Sequence, residues 1–450
     1  MNLREDARKI WDAAVAAADS EQAVQTALRV DGEELVLAGH RYSPDGDRRL
    51  IVVGAGKAGA GMAAGVERAV GDSVWRDRLQ GWVNVPDDCL RPLQKIHLHP
   101  ARPAGINEPT ERAMRGTQEI VSLVSSCRPQ DVCLVLISGG GSALLCSPVP
   151  GIPLADKLQM TRALSRAGAT IQELNHVRTH LSLVKGGGLA RACTANALAA
   201  LVISDVLGDP PETIASGPVT GSNPDPQAAI RILQRYLQPE QIPPTIMQVL
   251  AGKHPRQPVA DVSYTIVAAN QMSLAAAKRT ARRLGYATQV QTEPLQGDAA
   301  AAGRTFFRSL QQQPASCDRP LCLLAGGETT VDLSDAGQSA GKGGRNQEFV
   351  LAAAAAAPSG NSWSGKLLLS GGTDGEDGPT DAAGAFFDET LLRAVAASEI
   401  PADDYLRRHD AWNFFAGIGG LLRTGPTHTN VMDIAVGLSV PGNASADAGG

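Results

Sequence analysis

Several residue types that mark specialised protein classes are scarce in this chain. The seven cysteines are an odd number without a CxxC pair, and several lie in apolar runs. This pattern argues against a disulfide framework or a cysteine-based metal site and favours reduced, packed thiols. Aromatic residues make up only 4% of the sequence, and the formal net charge is −5. A general nucleic-acid partner is therefore excluded, whereas a local basic pocket is not.

Long apolar segments are missing as well. No uninterrupted apolar run reaches the roughly 20 residues that a membrane-spanning helix needs. The first residues, Met1 to Asp6, are charged and lack the apolar segment of a secretory signal. We therefore expect a cytoplasmic protein without a membrane partner.

Glycine, with 48 residues, and alanine are abundant instead. Short apolar runs typical of buried strands occur at 50–53, 131–137, 198–203 and 367–369, and helical patterns lie between the strands, including one over 154–174. Strands that alternate with helices predict the α/β class, with a mostly parallel sheet covered on both faces. An amphipathic helix or two is expected within 3–30.

The prolines cluster between residues 223 and 258, which marks the region between two domains. We divide the chain into an N-terminal domain at 1–240, a linker at 241–262, a C-terminal α/β domain at 263–441 and a flexible tail at 442–450.

The sequence GAGKAG at 54–59 follows a predicted strand and precedes a predicted helix. Its glycines, Gly54 and Gly56, and its cation, Lys57, are suited to binding a phosphate at a helix N-terminus. The alternative is a tight turn with a solvated lysine. The spacing also fits a dinucleotide fingerprint, but the acidic residue that should follow about 20 positions later is not cleanly present.

A second glycine loop, Ser138-Gly139-Gly140-Gly141-Ser142, follows the strand at 131–137. Such a run can form a nest of N–H donors for a phosphate or a carboxylate, with a flexible turn as the alternative. Further along, Arg178 and Lys185 lie in one segment with two histidines spaced i, i+4. Anion contacts are favoured there over a metal site, because the glutamate of a zinc-protease motif is missing.

Carboxylates follow two of the predicted strands. Asp205 and Asp209 come after the strand at 198–203, and Asp374 and Asp377 after the strand at 367–369. Carboxylates at strand ends can bind Mg²⁺ or act as a general base, so all four are candidate metal ligands. One of the first pair could instead cap a helix.

The second half of the chain repeats the pattern of glycines followed by polar groups. The candidate nucleotide- or anion-binding residues there are Gly326, Gly327, Glu328, Arg345, Asn346, Thr427 and Asn430. The P-loop and GxSxG motifs are both absent from the sequence. Anion cradles, cations and carboxylates together favour phosphoryl transfer, whereas hydride transfer needs only the first cradle.

These residues lie in eight ordered motifs through which the chain resembles the class II glycerate 2-kinase family. The motifs are GAGKAG (54–59), SGGGSALL (138–145), LNHVRTHLSLVKGGGLA (174–190), SDVLGDPPETIASGPV (204–219), AGGETTV (325–331), GGRNQE (343–348), SGGTDGEDGPTDAAGAF (370–386) and TGPTHTNVMD (424–433). The resemblance covers roughly residues 3–440.

The resemblance implies a Rossmann-like, doubly wound N-terminal domain and a smaller C-terminal α/β (MOFRL) domain, with an active site in the cleft between them. It also implies ATP- and Mg²⁺-dependent phosphorylation of the 2-hydroxyl of D-glycerate, giving 2-phosphoglycerate. Lys57 and Arg345 would contact the substrate carboxylate or the transferring phosphate. Asp205 and Asp374 would be the base or metal ligands, and a homodimer is left open.

Two departures from the family pattern concern the acceptor and a late loop. Arg102 and Asn107 stand in a segment that is commonly His-Pro-x-Pro-Asp in the family, which points to glycerate or a related hydroxy acid as acceptor. His428 stands where a glycine is usual, and Met432 where an asparagine is. The alternatives are an NAD(P)H-dependent hydroxypyruvate reductase and a sensor that binds without turnover.

Overall fold

The computed structural model describes residues 2–106, 108–221, 225–252, 257–259, 261–312, 319–333, 341–357, 360–398 and 401–441. The predicted tail at 442–450, part of the predicted linker and Asn107 lie outside these residues. In the described part of the chain, no helix combines the length and the apolar character needed to cross a membrane.

The chain divides into two compact units. The N-terminal unit contains Asp19–Ala268, and the C-terminal unit contains Met1–Ala18 together with Ala269–Gly450. This division differs from the predicted boundaries at both ends of the N-terminal unit. The first helix belongs to the C-terminal unit, and the strand at 263–268 belongs to the N-terminal one.

The first helix, α1 (Leu3–Ala16), illustrates why sequence position does not decide domain membership. Its buried face includes Ile10 and Trp11 and packs into the core of the C-terminal unit. The indole N–H of Trp11 also donates to the carbonyl oxygen of Gly371, 3.3 Å away. The sequence showed the apolar face of α1, but it did not show the surface against which this face packs.

The helices and strands of the N-terminal unit alternate along most of its length. The helices are α2 (Ser20–Ala27), α3 (Gly59–Val70), α4 (Trp75–Arg78), α5 (Glu111–Ser125), α6 (Gly141–Leu144), α7 (Leu154–Arg166), α8 (Ile171–His180), α9 (Gly188–Ala192), α10 (Pro226–Tyr236) and α11 (Pro244–Ala251). The strands are β1 (Leu28–Asp31), β2 (Glu34–Leu37), β3 (His40–Tyr42), β4 (Leu50–Ala55), β5 (Leu79–Pro86), β6 (Ile96–Arg102), β7 (Val132–Ile137), β8 (Ala197–Ile203) and β9 (Ser263–Ala268).

Six of these strands form a parallel sheet in the order β6-β5-β4-β7-β8-β9. When the six strands are numbered by their order along the chain, the sheet has the Rossmann order 3-2-1-4-5-6. The strand order reverses between β4 and β7, although all six strands run parallel. Alternate residues of β5 face opposite sides, so that Trp82 packs in the cluster with α5 while Val83 lies against α3. The predicted doubly wound α/β fold is confirmed.

Two predictions from periodicity need correction. The helical pattern over 154–174 is two helices, because the chain turns at Gly168 (φ +81°) and α8 starts with a capping box between Thr170 and Glu173. The two helices expected within 3–30 form, but residues from Leu28 onward enter a small antiparallel sheet, β1-β2-β3. The dipeptide Asp31-Gly32 was an available turn signal for it.

The C-terminal unit contains α1 and a second α/β series. The helices are α12 (Asn270–Arg283), α13 (Ala299–Gln311), α14 (Arg345–Ala356), α15 (Gly360–Trp363), α16 (Glu389–Ser398), α17 (Ala402–Arg407) and α18 (Ala411–Ile418). The strands are β10 (Ala287–Val290), β11 (Leu321–Gly327), β12 (Lys366–Gly372), β13 (Gly384–Asp388), β14 (Leu421–Leu422) and β15 (Asp433–Ser439).

The sheet of the C-terminal unit is mixed rather than mostly parallel. Its order is β10-β11-β15-β12-β13-β14, and β15 runs antiparallel to both of its neighbours. A loop, not a crossover helix, connects β12 to β13, so these strands also pair antiparallel. As a result, the start of β15 lies at the same edge as the ends of β11 and β12.

Candidate active site

In the N-terminal unit, three of the predicted site segments start from one edge of the parallel sheet. Lys57 follows β4, the glycine loop (Ser138–Ser142) follows β7 and Asp205 follows β8. Since β7 pairs in parallel register with both β4 and β8, these segments leave the sheet side by side. The edge lies at the point where the strand order reverses, which is the ligand-binding position of sheets of this kind.

The glycines of the turn at 54–59 permit close packing within the protein. A Cβ at Gly54 would overlap the backbone of Leu136, and a Cβ at Gly56 would overlap the side chain of Ser138. The backbone surface that a dinucleotide pyrophosphate would approach is therefore covered by the neighbouring glycine loop.

The amides of the same turn are also occupied. The N–H of Lys57 donates to the carbonyl oxygen of Gly139 (2.9 Å), and the N–H of Ala58 donates to the hydroxyl of Ser138 (3.1 Å). The tight-turn interpretation of these glycines thus fits the structure better than a phosphate cradle. Without a phosphate cradle, the GxGxxG spacing at 54–59 no longer supports a dinucleotide-binding site.

Unlike the turn at 54–59, the glycine loop has backbone amides that are available as hydrogen-bond donors. Among the described residues, the amides of Gly139 and Gly140 have no protein acceptor. Gly140 has φ +75°, a conformation that favours glycine, and Gly141 lies against the end of β4. The side chains of Lys57 and Arg102 lie 3.6 and 3.3 Å from the position that a Cβ of Gly140 would occupy. The guanidinium of Arg102 and the aliphatic part of the Lys57 side chain therefore lie beside Gly140.

Ser142, at the other end of the loop, is the centre of a polar network. Its hydroxyl accepts from Nζ of Lys185 (2.7 Å) and from Nη2 of Arg178 (2.5 Å), and it lies 2.8 Å from the hydroxyl of Ser216. Ser216 in turn donates to the amide oxygen of Asn175 (3.0 Å). The predicted residues Ser142 and Lys185 thus lie together in direct contact.

The electrostatics of this network favour an anion. Burial lowers the pKa of Lys185 well below its ordinary value, and the charges of Arg178 and Lys157 lower it further. Burial also lowers the pKa of Arg178 and of Lys157, while the Cys146 thiol is the group that acts in the opposite direction on all three. A bound carboxylate or phosphate would place a negative charge beside these cations.

The two carboxylates after β8 have different surroundings. Asp205 is half-buried directly after the strand, whereas Asp209 lies in a left-handed turn conformation (φ +53°). Burial raises the pKa of Tyr264, and the nearby charges of Asp209 and Glu212 raise it further. Asp209 therefore lies near Tyr264 of β9, whereas Asp205 follows the end of β8 more closely, and β8 pairs with the strand that leads into the glycine loop.

In the C-terminal unit, the candidate residues also gather at one sheet edge. Gly327 at the end of β11 and Gly372 at the end of β12 both pair with Asp433 at the start of β15. The Oδ1 atoms of Asp374 and Asp433 lie 3.1 and 3.4 Å from the position that a Cβ of Gly372 would occupy. Two carboxylates thus approach the backbone of Gly372, where a side chain would overlap the carbonyl oxygen of Glu376.

Arg345 is held by carboxylates rather than left for a ligand alone. Its Nε and Nη2 atoms donate to the two carboxylate oxygens of Asp433 (2.6 and 2.9 Å), and its Nη1 atom lies 2.9 Å from Glu328. Burial alone would lower the pKa of Arg345, but the hydrogen bonds to Asp433 and the charge of this carboxylate outweigh burial and raise it. Arg345 therefore fixes the position of two acidic groups.

Asp377 caps a helix. Its carboxylate accepts from the amide of Asn346 (3.0 Å) and from the amide of Gln347 (2.8 Å) at the start of α14. The side chain of Asn346 in turn accepts from the hydroxyl of Ser370 (2.6 Å). Burial raises the pKa of Asp377 to about 7, against the opposing effect of the two amides.

This raised pKa predicts how stability depends on pH. Between the ordinary pKa of 3.8 and about 7, the folded chain holds a proton on Asp377 that the unfolded chain has lost. The Asp377 contribution to the free energy of unfolding should therefore fall as pH rises, by up to about 1.4 kcal/mol per pH unit. Asp377→Asn removes this titration. Urea denaturation at pH 4 and at pH 7 would give the free energy of unfolding of the variant and of the wild type. We expect the variant to gain stability relative to the wild type as the pH rises between these values. A constant difference would contradict the raised pKa of Asp377.

Other predicted residues of the C-terminal unit support loops. A Cβ at Gly326 would overlap the side chain of Asn270, and a Cβ at Gly327 would overlap the backbone of Leu295. Asn270 donates to the carbonyl oxygens of Val431 (2.7 Å) and Asp433 (3.1 Å), which fixes the start of β15. These glycines permit close packing of the strand end.

The loop before β15 is held by its own polar residues. The amide of Thr427 donates to the carbonyl oxygen of Asp374 (3.1 Å), and the side chain of Asn430 accepts from the amide of Met432 (3.1 Å). His428 and Met432 have φ values of +60° and +69°. A glycine suits position 428 because other residues rarely adopt a positive φ. The hydrogen bond from the Thr427 amide to Asp374 supports the loop that carries Asp374.

Sequence reasoning missed two charged residues of these clusters. Asp433 falls within the strand predicted over 431–436, and it is the first residue of the observed strand β15. Lys157 lies on α7 in an ordinary helical pattern, and nothing in the sequence distinguishes it from a solvated lysine, although it is 2% exposed.

Comparisons with known proteins agree on one family. Residues 6–251 match the model of a domain of unknown function, DUF4147, and residues 321–433 match the MOFRL family. A glycerate kinase of Danio rerio is 35% identical and covers 98% of both chains. A glycerate 2-kinase of Pyrococcus horikoshii is 34% identical and covers 97% of this chain and 98% of its own. The crystal structure of a glycerate kinase from Thermotoga maritima superposes with a TM-score of 0.80 at 30% identity, over 97% of this chain and 99% of that chain.

Proposed function

We propose that this chain, which belongs to the class II glycerate 2-kinase family and is a phosphotransferase with an alcohol group as acceptor, phosphorylates the 2-hydroxyl of D-glycerate. It uses ATP and Mg²⁺ in this reaction and gives 2-phosphoglycerate. The observation that carries this proposal is the cluster of three cations, Lys157, Arg178 and Lys185, of which the last two donate to the Ser142 hydroxyl.

Three neighbouring cations, two of them buried, repel one another, and a bound anion would offset this repulsion. Lys185 and Lys157 are 1% and 2% exposed, and Arg178 donates to the same Ser142 hydroxyl as Lys185. The substrates of a glycerate kinase are a carboxylate and a polyphosphate, which both satisfy this requirement. We assign the cluster to the bound anion and the free amides of Gly139 and Gly140 to the same ligand.

The carboxylates of the C-terminal unit fit a magnesium ion. Asp374 and Asp433 both approach Gly372, and oxygen donors of this kind are what Mg²⁺ prefers. When bound, the ion would offset the negative charge of the nucleotide phosphates. Arg345 would keep Asp433 oriented, which is the role that its two hydrogen bonds to that carboxylate support.

Asp205 is our candidate for the general base. It follows β8 at the edge from which the glycine loop also starts. A carboxylate there can accept the proton of the 2-hydroxyl while the glycerate carboxylate is held by cations. Lys57 and Arg102, which flank Gly140, would stabilise negative charge on the second anionic group.

The product decides both the reaction and the position of phosphorylation. We expect the purified protein with D-glycerate, ATP and Mg²⁺ to form ADP and a product that enolase converts directly to phosphoenolpyruvate. A product that enolase uses only after phosphoglycerate mutase is added would place the phosphate on the 3-hydroxyl and overturn the regiochemistry. Absence of ADP with D-glycerate would remove this acceptor, and a panel of other 2-hydroxy acids would then test the departure at Arg102.

A further inference from the structure

Three cysteines that are separated in sequence lie together in the N-terminal unit. The Sγ atoms of Cys127, Cys133 and Cys193 all lie within 4.8 Å of one another. We propose that these three thiols bind one thiophilic metal ion, with Zn²⁺ as the reference ion. This site is independent of the proposed kinase reaction.

The separation of the sulfur atoms suits a single ion. Tetrahedral thiolate ligands about 2.3 Å from a zinc ion lie about 3.8 Å from one another. Sulfur atoms within 4.8 Å of one another need to approach by at most about 1 Å to reach this spacing. The group contains sulfur ligands alone, which select Zn²⁺ or Cu⁺ over Mg²⁺.

The backbone around the thiols is already fixed. The hydroxyl of Ser125 donates to the carbonyl oxygen of Ala192 (3.1 Å), and the amide of Thr194 donates to that of Val124 (3.2 Å). Cys133 lies within β7, so its position is set by the sheet. The segments that carry the three cysteines are thus held together without a metal, as a pre-organised site requires.

Binding of a metal ion by the three thiols releases protons. Each thiol that becomes a ligand loses its S–H proton to the solvent and forms a metal–sulfur bond, so up to three protons are released per ion. Cys127 and Cys133 are buried and Cys193 is half-buried. A water molecule on the Cys193 side would complete a four-coordinate ion.

The site lies away from the catalytic edge. Cys133 is near the start of β7, whereas the glycine loop follows the end of this strand. The cluster contains no CxxC pair and was not visible in the sequence, because its members come from the segment after α5, from β7 and from the segment after α9.

A cadmium titration of the reduced, chelator-treated protein tests the proposal. We expect the thiolate-to-cadmium charge-transfer band to saturate at one ion per chain, and Zn²⁺ to displace the cadmium. Cys193→Ser should weaken binding by at least about 100-fold, since the loss of a direct ligand should exceed the 10–100-fold effect of losing an outer partner. Cys89→Ser changes another half-buried thiol outside the cluster and should leave the titration unchanged.

Thermal unfolding provides the second readout. Added Zn²⁺ should raise the midpoint of the wild type and of Cys89→Ser, but not that of Cys193→Ser. Circular dichroism checks that Cys193→Ser folds, and Cys127→Ala replaces it in both measurements if it does not. Stoichiometric, tight binding that survives the loss of either cysteine would overturn the proposal, as would the absence of a saturating band in the wild type. Failure of the glycerate assay would not affect either result.

Discussion

Lys57→Ala is expected to lower kcat for D-glycerate by at least about 100-fold, because single groups that stabilise charge in a transition state contribute this much. Lys57 lies directly before α3 and beside Gly140, whose amide has no protein acceptor among the described residues. The backbone of the turn donates to protein acceptors, so the side chain carries the contribution of this segment. Initial rates over a range of ATP and glycerate concentrations would separate kcat from KM.

Lys95→Ala is the matched control for this variant. Lys95 precedes β6 at the opposite end of the strands of the same sheet and pairs with Asp77 (3.1 Å). Its removal should change kcat less than about twofold, as expected for an exposed ion pair. If Lys57→Ala retained a rate close to that of the control, Lys57 would not contact the transferring group, and Arg102 would be the remaining cation beside Gly140.

Asp374→Asn has the second large expected effect. Asparagine keeps the size of the side chain and removes its charge, so a metal ligand or base at this position would be lost without a cavity. We expect kcat to fall by at least about 100-fold. The Mg²⁺ concentration needed for half-maximal rate should rise if Asp374 binds the ion, and should stay constant if it acts only on the proton.

Asp381→Asn tests whether the loss of another carboxylate from the same loop also lowers kcat. Asp381 is exposed and pairs with Arg423 (2.9 Å) and with the indole N–H of Trp412 (2.7 Å). Its loss should leave both the rate and the Mg²⁺ dependence close to those of the wild type. Equal losses in the two variants would mean that the loop conformation, and not the Asp374 carboxylate, supports the reaction.

Much of the fold was predictable from local pattern. Buried parallel strands are continuous apolar runs, and β4, β7 and β8 were identified on that basis. Weakly buried strands were harder to place. The strand β9 is fully buried only at Val267 and Ala268, so its sequence did not show which sheet it joins.

The candidate site was predictable in part for a similar reason. Glycines, lysines and aspartates after apolar runs made Lys57, Ser142 and Asp374 candidates, because strand ends are where ligands approach. The sequence did not show that Asp377 caps α14 or that Arg345 is paired with Asp433, since both depend on contacts between distant segments.

The sequence by itself determined the α/β class, the order of the strands along the chain and the chemical character of the loops that follow them. These properties depend on which residues are neighbours along the chain. The tertiary structure alone decided that Lys157, Arg178 and Lys185 influence one another in the interior, and that Cys127, Cys133 and Cys193 meet. Electrostatic cost and ligand geometry depend on distances through space, which spacing in the sequence does not determine.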